Sequence, residues 1–403
     1  MNWYYSNGET AVGPLGETSM AELHRCGVIL SDTQVIREGS DEWMPFHVAF
    51  TNFKTPPPTP GTSGTSLVGL TLSRVAGGIS SAAGLEVLDG GRAKGVFGSI
   101  FRKRTAEEME ECFAVGTSRT TPPLSEVGQG WPAPWVFVRL LAFSVLVTLA
   151  FTWAIIRFQN PNLYPGWVFM GAFSIPFSVM VFFLETNTPG NISFYRVLKL
   201  FFLGGLLSLV FSLFLFDATG VGLWLGPVAA GPIEETGKLL AVVAVARKWS
   251  GIQWTLNGLL LGSAVGAGFA AFETAGYIAN ADAFGGTDFG TMIMRGLLAP
   301  FTHVIWTAAA AGALWRHMGG RRFALGMLFE WPVLRILAIS IGLHMLWNSS
   351  LTFPILGDVA KFVALGAVGW ILVLLLIQDG IAQVTKAVAV QQEASEKEVP
   401  EVM

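Results

Sequence analysis

The sequence predicts an all-α polytopic membrane protein of about eight transmembrane helices, preceded by a small α+β module. Three observations carry this. Of 403 residues, 52% are hydrophobic and only 13% charged, where a soluble domain has roughly a quarter of its residues charged; mean hydropathy is +0.54. Eight apolar stretches approach the ~20 residues a helix needs to cross a bilayer, at about 136–156, 166–184, 200–216, 221–246, 255–278, 292–314, 336–353 and 359–377. Ahead of them lies an aromatic, turn-rich segment cut off by a proline-rich stretch. The formal net charge of -3 points to no nucleic-acid partner; in a membrane protein the distribution of Lys and Arg between loops is the informative quantity. The 2 cysteines, Cys26 and Cys112, lie far apart before the first span. They make neither a disulfide framework nor a zinc ligand set and read as reduced cytosolic thiols. The first thirty residues lack the basic n-region and continuous apolar core of a secretory signal, so internal spans are expected to drive insertion.

Residues 1–53 alternate aromatics with turn residues: WYYSNGET, GPLGETSMAELHRCGVI, TQVIREGSDEWMPF. The pattern predicts short strands, one helix centred on MAELHRC and a hairpin around EGSDEW. So short a segment has a modest core, to which Trp3, Tyr4, Tyr5, Leu23, Val35 and Trp43 are the expected contributors. WYY, the GP at Gly13 and Pro14, AEL ending at Leu23 and the closing REGSDEWMP resemble the GYF-like domain found at the N-terminus of many bacterial membrane proteins. True GYF domains bind proline-rich peptides on an aromatic patch. The resemblance therefore implies a proline-rich cytoplasmic peptide as partner, with Trp3, Tyr4, Tyr5 and Trp43 as peptide-binding residues; each of the four also suits a place in the core.

Residues 54–66, with TPPPTPGTSGTS, read as a tether that is extended and then flexible. Residues 67–134 mix small apolar residues with the basic cluster FRKRTAEEMEE. They form a cytoplasmic, interfacial region with at least one expected surface helix, Lys103 and its Arg neighbours lying near the lipid headgroups. Residues 135–379 hold the eight spans, an even number that places both ends on one side. Arg102 to Arg104, Arg196 with Lys199, Arg247 with Lys248, and Arg316 with Arg321 and Arg322 all fall in alternate loops, while NPNLYPG, DATGVG, ANADAFGGTDFG and FPILGD hold almost no positive charge. By the positive-inside rule the N-terminal module and the acidic tail, 380–403, are expected in the cytoplasm; the resemblance to a domain of bacterial membrane proteins implies that the bundle sits in a bacterial inner membrane. No internal repeat supports an inverted-repeat transporter.

The stretch GPIEETGKLL, 231–240, has the glycines and lysine of a phosphate loop. That reading fails. A Walker loop needs four residues between its first Gly and the Gly-Lys, then Ser or Thr, after a strand; here five intervene, Leu239 follows and the surroundings are apolar. Glu234 and Glu235 instead stand about halfway along the fourth expected span, where an uncompensated charge costs roughly 2.5–3.5 kcal/mol and marks a functional site. Lys238 lies four residues after Glu234 on the same helical face, so a self-neutralised cluster that locks helices together is the plain alternative. The fifth span, GLLLGSAVGAGFAAFETAGY, is rich in Gly and Ala, which permits close packing, and places Glu273 one turn after Phe269. The sixth, PFTHVIWTAAAAGALW, carries His303 mid-span, and the seventh, IGLHMLWNSS, carries His344 and Asn348 one turn apart on one face. One intramembrane His is an ordinary interhelical strut; two, with three glutamates and an asparagine in four consecutive spans, form a chemical constellation. A carboxylate near a neutral His can act as general base to water, or the two together can hold a metal that acidifies it. An amide can donate a hydrogen bond to a developing oxyanion. Peptide or related acyl hydrolysis uses all of these parts.

EETGK at Glu234 to Lys238, FAAFE at Phe269 to Glu273 and HMLWN at His344 to Asn348 resemble the EExxK, FxxxE and HxxxD/N motifs of PrsW-type intramembrane proteases. His303, after PFT, resembles another recurring His of that family, which is related to the CAAX prenyl endopeptidases. The resemblance runs over about 105–379 and rests on the ordered set of motifs. It implies an intramembrane endopeptidase that cuts a membrane-anchored protein, for example an anti-sigma-like factor in a site-1-type first cleavage. By it, Glu234 and Glu235 include the water-activating base, His303 and His344 complete the site, Lys238, Phe269 and Glu273 support it, and Asn348 is the oxyanion donor. Asn348 stands where the founding pattern has Asp; an amide is neither base nor anionic metal ligand, and it suits the CAAX-type arrangement. The residues leave open a metal-free glutamate mechanism and one using a divalent metal such as zinc on Glu234, His303 and His344. Two rivals are a proton-coupled carrier relaying through the same carboxylates, in which Asn348 has no part, and a non-catalytic scaffold worked by the N-terminal module.

Overall fold

The computed structural model describes residues 2–6, 11–17, 19–20, 23, 29, 33–40, 42–50, 67–87, 103, 113–117, 119–283, 289–352 and 357–398. The expected linker, both cysteines, Arg102, Arg104 and most of the MAELHRC helix lie outside them, as do residues 284–288 and 353–356 of two loops and the last five residues of the tail. The chain divides into two compact units, Met1–Leu70 and Thr71–Met403.

The first unit is an antiparallel sheet of β1 (Asn2–Ser6), β2 (Ala11–Gly16), β3 (Gln34–Arg37) and β4 (Met44–Pro45), ordered β2-β1-β3-β4. Period-two alternation explains which aromatics turn inward. Trp3 is buried against Phe50, with ring centroids 4.8 Å apart, and Tyr5 packs on the same core of Met20, Ile29, Val35 and Phe46. Tyr4 faces the other way and covers Gly13, where a Cβ would come within 2.6 Å of its ring. The hairpin expected around EGSDEW is the β3–β4 turn, with Gly39 at φ 85. The short helix α1 (Phe46–Ala49) closes the sheet.

The second unit is helical. After α2 (Leu67–Ala83), which crosses the unit boundary, come α3 (Val136–Phe158), α4 (Pro161–Thr186), α5 (Phe194–Thr219), α6 (Ala230–Ala246), α7 (Thr255–Ala283), α8 (Phe289–Leu298), α9 (His303–Met318), α10 (Trp331–Asn348) and α11 (Gly357–Glu398). Among the described residues, six spans are long and apolar enough to cross a bilayer: α3, α4, α5, α7, α8 with α9, and α11. The shorter helices α6, of 17 residues, and α10, of 18, fall outside that set. Between them they carry Glu234, Glu235, Lys238, His344 and Asn348, so apolar length has been exchanged for polar groups.

Two boundaries differ from the sequence expectation. The fourth span, expected over 221–246, is broken by Gly226 at φ 57 and by Pro227, and continuous α-helix starts only at Ala230. Glu234 and Glu235 therefore stand near the start of α6, not halfway along a span. The sixth, expected over 292–314, is broken at Pro300, with Thr302 at φ -125 and ψ -128. His303 is thus the first residue of α9 and not mid-span. A proline lacks the N–H needed to continue the helical ladder, which accounts for both breaks. The last helix runs 42 residues through the expected start of the tail at 380.

Helix α7 is the hub, with 94% of its apolar window buried inside the bundle, against 28% for the peripheral α3. Its glycines explain the contact with α9: a Cβ at Gly258, Gly262 or Gly266 would run into the backbone of Ala311, Thr307 or His303. The carboxylate of Glu185 on α4 receives the first backbone N–H groups of α3, from Trp135 and Val136 at 2.8 Å and Phe137 at 2.9 Å. These are donors that a helix start otherwise leaves without partners.

Candidate active site

Four helices bring the polar residues together. Helix α6 is pressed against α10 and α5 by its glycines: a Cβ at Gly231 would lie 2.5 Å from Met345, and one at Gly237 would lie 2.6 Å from Ser212. This close approach sets the Glu pair facing His344. Glu235 and Lys238 are fully buried. Glu235 Oε1 accepts from Lys238 Nζ at 2.7 Å and pairs with His344 Nδ1 at 2.9 Å, while Oε2 accepts from Thr307 at 3.4 Å. A buried carboxylate so surrounded is satisfied on both oxygens.

Glu234, one residue earlier, turns into a cavity. Its Oε2 is buried yet makes no hydrogen bond among the described residues, 3.6 Å from Lys238 Nζ and 3.8 Å from His344 Nε2. The cavity holds about 380 Å³ and is lined by Glu234, Glu273, Tyr277, Arg295, His303 and His344, with Trp347 and Asn348 also in its wall.

Hydrogen bonding assigns the two histidines opposite tautomers. His344 Nδ1 faces a carboxylate, so it carries the proton and Nε2 presents its lone pair toward Glu234. His303 Nδ1 lies 2.7 Å from the Lys238 ammonium, which can only donate, so the proton sits on Nε2, 3.2 Å from Glu273 Oε2. Aromatic rings hold this geometry: Phe269 lies 4.2 Å beneath Lys238 Nζ, and Trp306 stacks on His344 at 4.8 Å. Asn348 Nδ2 is 3.4 Å from the Pro227 carbonyl, and its amide has a second N–H to offer.

The expected residues Glu234, Glu235, Lys238, Phe269, Glu273, His303 and His344 thus meet in one cluster, with Asn348 in the cavity wall. In the other unit Trp3 is core, Tyr4 and Tyr5 are half-buried, and Trp43 is exposed. Sequence reasoning missed Arg295. It pairs with Glu273, donates to Thr274 at 3.1 Å and lies over the Tyr277 ring at 4.3 Å. A charge within the apolar run TMIMRGLLAPF was the available signal.

Three carboxylates, Glu234, Glu235 and Glu273, face two fixed cations, Lys238 and Arg295. The cluster is short of positive charge, a deficit that a divalent ion or a proton can fill. One oxygen of Glu234 and one nitrogen each of His303 and His344 lie within 4.8 Å of one another. Two nitrogens and a carboxylate oxygen are the donor types of a catalytic zinc site. Glu234 Oε2 has no competing hydrogen bond and His344 Nε2 has its lone pair in place, so the set fits a divalent ion. His303 meets it on release of Nε2 from Glu273.

A family model described as PrsW family intramembrane metalloprotease matches residues 165–378, just over half of the 403-residue chain. A second, GYF domain 2, matches residues 3–47. No curated protein and no solved structure matches the chain.

Proposed function

This chain belongs to the PrsW family of intramembrane metalloproteases, and we propose that Glu234 is its proton acceptor in hydrolysing a peptide bond of a membrane-anchored protein. The multi-pass membrane unit is an intramembrane protease by family, and the roles below are our reading of its geometry. The observation that carries the reading is the division of labour in the Glu pair. Glu235 is consumed by Lys238, His344 and Thr307, whereas Glu234 keeps an unpartnered oxygen at a polar cavity.

In this mechanism Glu234 Oε2 takes the proton of a water placed between it and His344 Nε2. Glu235 fixes the tautomer of His344, as a carboxylate behind a His does in other hydrolytic sites. Lys238 offsets one of the two charges of the Glu pair and holds His303 Nδ1 as an acceptor, so that His303 Nε2–H points at Glu273; the proton that Glu234 takes from water passes on to the leaving amine, which His303 is placed to hydrogen-bond. Asn348 offers its second N–H to the oxyanion. Glu234, His303 and His344 are the residues that would hold a divalent ion such as zinc, which when bound supplies Lewis-acid polarisation of the scissile carbonyl and a more acidic water.

All of these groups lie toward one end of their helices: near the start of α6 and α9 and near the finish of α10. The basic loops at Arg247, Lys248, Arg321 and Arg322 lie at the other end. With those loops and both termini cytoplasmic, cleavage falls near the outer face of a bacterial inner membrane, as a first, site-1-type cut of an anti-sigma-like substrate requires. The N-terminal unit would engage a proline-rich peptide, with Trp43 the aromatic best placed to reach it, since it is 40% exposed.

The test pairs Glu234→Gln with Glu235→Gln in the purified full chain, using a single-span reporter. Glu234→Gln is expected to lower cleavage by about 10²- to 10⁴-fold while keeping the unfolding temperature; Glu235→Gln is expected to lower both. Full activity in Glu234→Gln would remove the assignment. Metal content of both variants, read by elemental analysis, reports whether Glu234 is also a ligand.

A further inference from the structure

We propose that the loops joining α6 to α7 and α9 to α10 form a binding site for a phosphate-ester anion, at the end of the bundle away from the protease cavity. A cavity of about 730 Å³ lies between them, within the range of small-ligand sites. Arg247 and Lys248 line it from one loop, Arg321 and Arg322 from the other, and among the described residues its lining contains no Asp or Glu. Arg247, Lys248 and Arg322 make no ion pair among the described residues.

The backbone builds this convergence. Gly319, at φ 52, ends α9 and Gly320, at φ 82, turns the chain back, where a Cβ on Gly320 would stand 3.1 Å from Gln253 Oε1 of the facing loop. Arg321 donates from Nε to the Met318 carbonyl at 3.0 Å and from Nη2 to the His317 carbonyl, which fixes its guanidinium and leaves its remaining N–H groups for a ligand. A further cation, Arg196, lies over the Trp249 ring of the same wall at 5.1 Å.

Orientation of a membrane protein needs cations in these loops, but it does not need two loops to aim four of them at one concave wall without a carboxylate. Like charges repel, so such a wall is favoured when an anion completes it. Arg guanidinium groups and a lysine are the donors that phosphate oxygens take, by charge-assisted hydrogen bonds. At a membrane surface the two sources of that chemistry are an anionic phospholipid headgroup and free phosphate.

The experiment uses the full chain in nanodiscs of phosphatidylcholine with phosphatidylglycerol, released into native mass spectrometry to count retained lipid. The wild type is expected to retain phosphatidylglycerol over phosphatidylcholine, and Arg247→Ser with Arg322→Ser to lose that retention about thirtyfold, two basic contacts being removed. Arg247→Lys with Arg322→Lys keeps the charge and is expected to keep binding, which separates loss of the site from loss of fold. Lys199→Ser, a cation outside the cavity lining, is the control for general charge. In a second arm, inorganic phosphate is added to delipidated protein and unfolding temperature is read. Stabilisation that disappears in the Ser variant assigns the site to free phosphate, and retention of phosphatidylglycerol without it assigns the site to the headgroup. Neither response in the wild type, or equal responses in wild type and Ser variant, overturns the proposal.

Discussion

At one end of the membrane unit Glu234, Glu235, Lys238, Glu273, Arg295 and two histidines interlock within ion-pair reach, most of them buried. At the other end Arg247, Lys248, Arg321 and Arg322 stand exposed around a cavity with no carboxylate among its described lining residues. Lys238 and Lys248 show the contrast on a single chain segment: the first is buried in α6, 2.7 Å from Glu235, and the second is exposed just beyond the end of that helix. A buried charge must be matched or it costs several kcal/mol, so the one carboxylate oxygen of this cluster that lacks a hydrogen bond among the described residues, Glu234 Oε2, is informative. An exposed cation keeps its hydration, so the outer ring can stay unmatched and available.

The largest change is expected at the Glu234 oxygen that lacks a hydrogen bond among the described residues. Glu234→Gln keeps size and hydrogen-bonding capacity but removes the base, and cleavage of a single-span reporter is expected to fall about 10²- to 10⁴-fold. A fall of under tenfold would mean that the unpartnered oxygen is not the reacting group.

Next comes the pairing itself. Lys238→Met strands Glu235 without its ammonium and lets His303 Nδ1 lose its donor. Breaking a buried pair from one side costs about 3–5 kcal/mol, so a clear drop in unfolding temperature is expected. Adding Glu235→Gln should recover part of it, because the uncompensated charge is gone. If the double variant is no more stable than Lys238→Met, the cluster is not held by charge matching. A smaller effect is expected at the packing that delivers the cluster. Gly262→Val thrusts a side chain into the Thr307 backbone and is expected to cost about 1–3 kcal/mol by overpacking, with activity falling as α9 and His303 move away from Glu235.

The helices and the residues that meet in the candidate cluster were legible in the sequence because both rest on residue type. Apolar runs report spans, and a Glu, His or Asn inside one reports a protein interior. Depth was not legible. The Glu pair looked central because the residues of 221–246 on either side of EETGK are apolar, but Gly226 and Pro227 stop the helix, and Pro300 does the same before His303. Nor could a sequence say which glutamate faces the cavity: Glu234 and Glu235 differ by one step of about 100° around the helix. Only the positions of His344 and Thr307, on two other helices, show that Glu235 is the one enclosed. Arg295 escaped for the opposite reason. Its partners Glu273 and Tyr277 come from a different helix, and a single charge near a loop reads as an ordinary boundary residue.

The smallest expected effect falls on the far side of the comparison. Lys248→Ser removes the same charge as Lys238→Met, from the same stretch of chain, where the ammonium has no ion-pair partner among the described residues and remains in water. No measurable change in unfolding temperature or in reporter cleavage is expected, since exposed substitutions away from such networks are close to neutral. A destabilisation comparable to that of Lys238→Met would show that the outer cations carry structural load, and the distinction between a matched interior and a free rim would fail. A neutral result, joined to weakened retention of phosphatidylglycerol in the Arg247→Ser and Arg322→Ser protein, would place the work of these cations outside folding and catalysis, in what the membrane surface supplies.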